Sequence, residues 1–431
     1  MKKIHLVSLG CAKNLVDSEQ MLAMFPRDVF SLTSHPEEAD LIIVNTCGFI
    51  ESAKKESLDT IFEMAGYDAK LAVVGCLAQR YEEDLKRELP EADDIIAIHD
   101  YDEFPKRISA LIGDETILNF NPLRRILTTS KGTAYLRISE GCNNFCAFCA
   151  IPRIRGTFVS RPFDEIIKEA KILKEEGIKE ISLISQDTTV YGSDFKGGHP
   201  NIVDLLNALE DIGFFFIRLL YLYPSEISDE LIEHIAKSKQ IAHYFDIPVQ
   251  AASDHMLTAM RRHAGAKETL ELFDKIKRIC PDAILRTTLI SGFPGENEED
   301  QKETIDFLEQ VEFHHMGVFT YSREEDTVGY YLDDQIEEEV KESRKNELMS
   351  IQRHISYKKN KEMVGKEMDG IVIGRKKDGR YCVRTYWNAP DDIDGQIYLD
   401  SHVPLEEGDL VRIKIESSFV YDLTASLKEK L

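Results

Sequence analysis

Between about residues 130 and 325, short apolar runs alternate with longer amphipathic ones, and this limits the fold more than any other feature. Strand-like runs fall at 134–139, 180–185, 216–221, 244–249, 284–290 and 317–321, with helical patterns at 163–176, 202–210, 228–237, 266–279 and 298–311 between them. Strands joined through helices must lie parallel, because a parallel connection needs a crossover. Six such units predict an incomplete (β/α)6 barrel with its chemistry at the carboxyl-terminal mouth.

The first of these runs leads directly into G-C-N-N-F-C-A-F-C, which carries Cys142, Cys146 and Cys149 in a C-x3-C-x2-C array. Structural zinc needs four nitrogen or sulfur ligands, and three thiolates leave its tetrahedron open. Three thiolates do suit three irons of a cubane cluster, with the fourth iron free to bind something else. Phe145 and Phe148, between the ligands, are expected to keep water away. Strand ends facing the same mouth carry Gln186, Gln250 and the turn Gly292-Phe-Pro294-Gly295-Glu296, polar or glycine-rich where a nucleotide would need them. Arg153, Arg155 and Arg161 read as solvated surface cations or as partners for carboxylates.

The amino-terminal part, residues 1–125, has its own apolar runs at 5–9, 41–45, 70–74 and 94–98 with helical stretches at 14–25, 51–65 and 79–89. Near-continuous apolar runs of this length fit parallel strands covered on both faces, in an open doubly wound α/β sheet. Ligands of such sheets bind beyond the carboxyl ends of the strands. Cys11, Cys47 and Cys76 each follow one of the first three runs. They are either three small buried hydrophobes or a second three-thiolate site.

After the barrel region (130–335), residues 336–364 read as a charged connector helix with Val340, Leu348, Ile351 and Ile355 on one stripe. Residues 365–431 turn all-β, with strands expected at 370–373, 381–385, 396–399, 410–417 and 423–427, a pattern that suggests a small OB-like barrel. This tail holds 10 Lys+Arg against 13 Asp+Glu, a balance of −3. A nucleic-acid face should be basic, so Asp391, Asp392 and Asp394 are expected to meet a basic protein partner. Trp387 beside them is either its anchor or core. The whole chain follows suit at 53 − 77 = −24, which opposes loose binding to phosphate backbones. No apolar run reaches membrane-spanning length, and a cytoplasmic protein is expected. Cys280 and Cys382 stand outside both trios.

Taken together, these motifs resemble the methylthiotransferase family of radical S-adenosylmethionine (SAM) enzymes along nearly the whole chain. N-T-C-G-F-I-E-S-A-K-K-E-S (45–57), S-Q-D-T-T-V-Y-G (185–192), L-L-Y-L-Y-P (219–224) and A-P-D-D-I-D-G-Q-I-Y-L (389–399) are similar to its ribosomal-protein branch. The resemblance implies a radical SAM barrel and a terminal TRAM domain. It implies a SAM-cleaving [4Fe–4S] cluster on Cys142, Cys146 and Cys149, and an auxiliary [4Fe–4S] cluster on Cys11, Cys47 and Cys76 that carries the sulfur to be inserted. SAM contacts are expected at Gln186, Gln250, Gly292, Pro294 and Gly295. The implied substrate is an aspartate β-carbon of the twelfth small-subunit ribosomal protein, free or in the small subunit. An adenosine in tRNA, the target of the other branch, is the alternative. An electron donor and a sulfur source are further expected partners, and no membrane is.

Overall fold

The computed structural model describes residues 1–391 and 393–431. The first apolar runs form a five-stranded parallel sheet of β1 (Lys2–Ser8), β2 (Phe30–Leu32), β3 (Leu41–Thr46), β4 (Lys70–Gly75) and β5 (Asp94–Ile96), in the order β2-β1-β3-β4-β5. The period of two divides each strand between two cores. Leu41 and Ile43 pack with Met21, Phe104 and Ile108 on one face, whereas Ile42 and Val44 pack with Ile61, Met64 and Leu85 on the other. Three-residue β2 at the edge and the helix Phe104–Ile112 were not anticipated from the pattern.

The alternating region yields β6 (Thr133–Arg137), β7 (Ser139–Glu140), β8 (Val159–Ser160), β9 (Glu180–Ile184), β10 (Phe216–Leu219), β11 (Tyr244–Asp246), β12 (Ile284–Ser291) and β13 (His315–Thr320). β6, β9 and β10 run parallel in one three-stranded sheet, and β11, β12 and β13 in another. A parallel bridge between Ile217 and Ile241 joins them into a six-stranded incomplete barrel. Small antiparallel β7 and β8 clip the cysteine loop at its mouth. Ala134, Leu136, Ile181, Leu183, Ile217 and Leu219 share a core with residues of the outer helices, such as Ile166, Leu205 and Leu231. Several of the alternate positions, among them Glu180, Ser182, Arg218, Asp246 and Arg286, are polar.

Glu180, Arg218 and Arg286 of that set are met by the carboxyl-terminal module. Helix Glu338–Met363 leads into a closed barrel of β14 (Glu367–Arg375), β15 (Tyr381–Arg384), β16 (Ile397–Asp400), β17 (Leu410–Ser418) and β18 (Leu423–Lys430), in the order β14-β15-β16-β18-β17. The segment that follows β15 packs into the base of the larger barrel. Trp387 is fully buried against the His315 ring, at a centroid distance of 4.7 Å, and His315 Nε2 lies 2.8 Å from the Trp387 carbonyl. Arg218 donates to the Thr385 carbonyl at 2.7 Å, and Arg286 to Asp394 at 3.1 Å, while the Tyr244 hydroxyl also donates to Asp394.

The expectation that Asp394 faces a partner protein is therefore corrected, and of the two readings of Trp387, partner anchor or core, the burial corrects the first and agrees with the second. Both are buried inside the chain, because the cations that attract this acidic loop sit on the larger barrel. Asp391 is exposed and accepts from the Tyr135 hydroxyl, again within the chain. Asp392 lies outside the described residues. Among the described residues no helix is long and apolar enough to cross a membrane.

Candidate functional site: two three-thiol centres at the barrel mouth

Cys142 follows β7, and its backbone N–H is tied to the Gly156 carbonyl at 3.2 Å, so the loop folds back on itself. Cys146 and Cys149 close the turn through the Cys149 N–H on the Cys146 carbonyl at 3.0 Å. The three sulfurs are near enough to act on one another electrostatically. Arg262 donates to Cys146 Sγ at 3.4 Å, held in place by the Pro248 carbonyl at 2.7 Å and by the Tyr223 ring at 4.1 Å. Phe148 packs against the small cluster around Ala147 and Phe293, but Phe145 is 52% exposed. Only one of the two phenylalanines excludes water, because Phe145 sits at a left-handed φ of +46° that turns it out of the loop.

The second trio forms where β1, β3 and β4 end. Cys11 opens the helix Ala12–Leu22 and Cys76 the short helix Cys76–Arg80, and Cys11, Cys47 and Cys76 act on one another electrostatically. Gly10, at φ +86°, passes so close that a Cβ there would lie 3.0 Å from Cys47 Sγ. Asn14 donates to the Leu9 and Thr46 carbonyls, both at 2.9 Å, which knits the strand ends together.

The two centres share a wall. Cys76 packs directly on Ala150 and Ile154, immediately beyond Cys149. Arg155, 7% exposed, donates to Asn14 Oδ1 at 2.5 Å, to Asp17 Oδ2 at 2.9 Å and to Cys76 Sγ at 3.5 Å. Arg161 is held by Glu169 at 2.7 Å, so of the three arginines near the loop only Arg153 is exposed. Lys13 reaches from the amino-terminal sheet to the Ser185 carbonyl at 2.6 Å and stands 4.6 Å from the centre of the Tyr221 ring. Tyr221 and Gln250, just past β10 and β11, hold left-handed φ values of +61° and +74°, the kind of local strain that collects at functional sites. Lys13, Asp17, Tyr221 and Arg262 were missed by the sequence reading. The lysine two places after Cys11 was a visible signal, whereas Arg262 lies 116 residues from its sulfur and left none.

The expected SAM contacts divide. Gln186 donates to Glu140 at 2.9 Å, and its buried Oε1 has no partner, which leaves an acceptor for a ligand donor. Gly292 has another reason to be glycine than ligand approach. Its φ is +76°, and a Cβ would lie 2.2 Å from Lys341 Cγ on the connector helix. That helix also braces the turn through Lys341, whose carbonyl accepts from Ser291 at 2.9 Å, and through Arg344, which donates to Glu296 at 2.9 Å. Gly295 has open space beside it, and Pro294 is buried in the same turn.

Among the described residues no disulfide joins any of the cysteines. Burial pushes Cys76 and Cys149 up to about 12 and raises Cys47 and Cys142 as well. Buried thiols of this kind become thiolates only with a cation to bind. Soft donors, three to a site, fit iron–sulfur clusters with one open iron. Cys280 and Cys382 are buried away from both trios.

Comparison with known proteins agrees with this layout. The radical SAM superfamily profile matches residues 136–308, that of an uncharacterized protein family (UPF0004) residues 3–97, and that of the TRAM domain residues 364–427. The ribosomal protein uS12 methylthiotransferase RimO of Acetivibrio thermocellus is 46% identical over 98% of this chain and 97% of its own length. The protein of the same description from Aquifex aeolicus is 45% identical over 100% and 98%. Among solved structures, the radical SAM methyltransferase TsrM from Kitasatospora setae superposes with a TM-score of 0.53 at 12% identity, covering 74% of this chain and 73% of that one. The cobalamin-dependent SAM radical enzyme OxsB gives 0.52 at 13% identity, covering 82% and 56%, and both share the fold. With near full-length relatives at this level of identity, the chain belongs to the RimO family of radical SAM methylthiotransferases, enzymes that use SAM and a [4Fe–4S] cluster.

Proposed function

We propose that this enzyme methylthiolates the β-carbon of an aspartate in ribosomal protein uS12, and that both three-thiol centres hold [4Fe–4S] clusters. Cys142, Cys146 and Cys149 would hold one and Cys11, Cys47 and Cys76 the other. Clusters held by these thiolates would supply the electron for SAM cleavage and a site for sulfur, chemistry beyond side-chain acids and bases.

The chain's own residues do the rest. Arg262 and Arg155 each place a guanidinium on one sulfur of a trio, which favours the thiolate and fixes its direction. Gln186, Gln250 and the Gly292–Gly295 turn frame the SAM pocket, the turn being held from behind by Lys341 and Arg344. Phe148, Phe293 and Tyr321 close the cluster loop against water.

The observation that carries the two-centre reading is the packing of Cys76 with Ala150 and Ile154, residues that follow Cys149, which would set sulfur delivery beside SAM cleavage. The protein substrate rests on full-length kinship with uS12-modifying enzymes, with a tail balance of −3 against RNA. The sulfur source and electron donor are proteins or small molecules of the cytoplasm yet to be identified.

The test uses anaerobically reconstituted protein, methyl-labelled SAM, a reductant and a sulfide source, with uS12, small subunits and tRNA offered separately. Label should enter uS12, free or in the subunit, and mass spectrometry should place one methylthio group on an aspartate. Label in tRNA alone would overturn the reading. Cys76→Ala should still yield 5′-deoxyadenosine but transfer no sulfur, whereas Cys146→Ala should lose both.

A further inference from the structure

Lys13 is 6% exposed, yet its ammonium enters no salt bridge among the described residues. One proton goes to the Ser185 carbonyl, and the Tyr221 ring lies beneath the charge at 4.6 Å. An ammonium has three protons, so two are unspent. A buried ammonium with donors to spare is a ready partner for an incoming anion. The backbone around it is built to keep that place: Tyr221 is held at φ +61°, and Ser185 directly follows β9 and precedes Gln186, whose buried Oε1 has no partner.

We propose that Lys13 receives the side-chain carboxylate of the aspartate to be methylthiolated; this rests on the aspartyl-substrate reading above. Presenting the β-carbon to the two trios would carry the adjoining carboxylate toward Lys13, and a buried carboxylate needs a cation with donors to spare. Lys13 sits two residues from Cys11 and touches the barrel mouth at Ser185, so it stands between the two centres. An uncharged base in the same place would leave the ammonium unmatched, so the residue also selects an acidic side chain over a nucleobase.

SAM carries a carboxylate too, and the experiment separates the two sources. Fluorescence anisotropy on the reconstituted full chain, with SAM present, compares a labelled uS12 peptide holding the target aspartate with the same peptide holding asparagine. Wild type should prefer the aspartyl peptide by about tenfold or more, the margin of a charge-assisted hydrogen bond over a neutral one. Lys13→Met should reduce the preference to within about twofold, with iron content and SAM affinity within about twofold of wild type, and Lys13→Arg should restore part of it. A Lys13→Met protein that keeps the preference would overturn the proposal. So would one that loses SAM affinity instead, which would assign Lys13 to SAM. If wild type binds neither peptide, the aspartyl-substrate reading itself falls.

Discussion

Asp17 holds two guanidinium groups at once, accepting from Arg155 at 2.9 Å and from Arg137. All three side chains are buried or nearly so, at 4%, 2% and 14% exposure. Exchanging the carboxylate for an amide leaves both cations short of charge in a place water does not reach. Asp17→Asn is expected to cost about 3–5 kcal/mol, read as a lower urea midpoint with unchanged slope. Arg155→Met acts more locally. It removes a donor and a positive charge from Cys76, so the cluster on Cys11, Cys47 and Cys76 should become harder to reduce. An EPR-monitored redox titration should show one midpoint moving to lower potential while the signal of the Cys142 centre stays in place.

At the scale of elements, β12 and β13 are joined by a histidine that cannot take its usual charge. Burial, then the neighbouring His315 and several lysines, depress His314 to about 3. Its Nδ1 accepts the Leu285 N–H at 3.1 Å, a role open only to the neutral ring. In the unfolded chain the same ring binds a proton near pH 6.5. Below that pH the unfolded state holds a proton the folded state refuses, so the contribution is complete above 6.5 and is lost as pH falls toward 3. Between pH 7.5 and 5.5 the loss is about 1.4 kcal/mol from this group. His314→Asn, whose Oδ1 can replace Nδ1, should flatten the pH dependence of the urea midpoint by that amount.

Elements whose signal is local could be read from the sequence. The strands ending at Cys11, Cys47 and Cys76 were visible because apolar runs and turns mark them, and the helices Ala266–Ile279 and Glu298–Val311 agree with their pattern to the residue. What could not be read is pairing between distant segments. Nothing near Asp394 announces Arg286, nothing near Cys146 announces Arg262, and nothing near Gly292 announces Lys341. The glycine expected to admit a ligand also makes room for a lysine of the connector, and an acidic loop that seemed to await a partner is bonded within the chain.

For the whole molecule, that loop decides whether the carboxyl-terminal barrel is an arm or a floor. An arm that captures RNA would keep a basic, open face and a weak seam with its neighbour. Here the seam contains Trp387 at no exposure, with Glu180 bonded at once to Arg218 and Arg384, and Asp394 to Arg286 and Tyr244. Removing the module would leave these charges and the Trp387 socket open at the base of the larger barrel, so the two should unfold together. Calorimetry of the full chain is expected to show residues 130–431 melting in one transition. Trp387→Ala should lower it by an amount corresponding to about 3–5 kcal/mol while tryptic sites in both barrels open in parallel. Two separated transitions, with only the later residues affected, would mean the small barrel is an independent arm after all. The distinction reaches the chemistry, because Asp391 and Tyr135 continue the same seam upward, on the strand whose Arg137 meets Asp17. A loosened floor should therefore uncouple SAM cleavage from sulfur transfer, raising 5′-deoxyadenosine formed per methylthio group inserted.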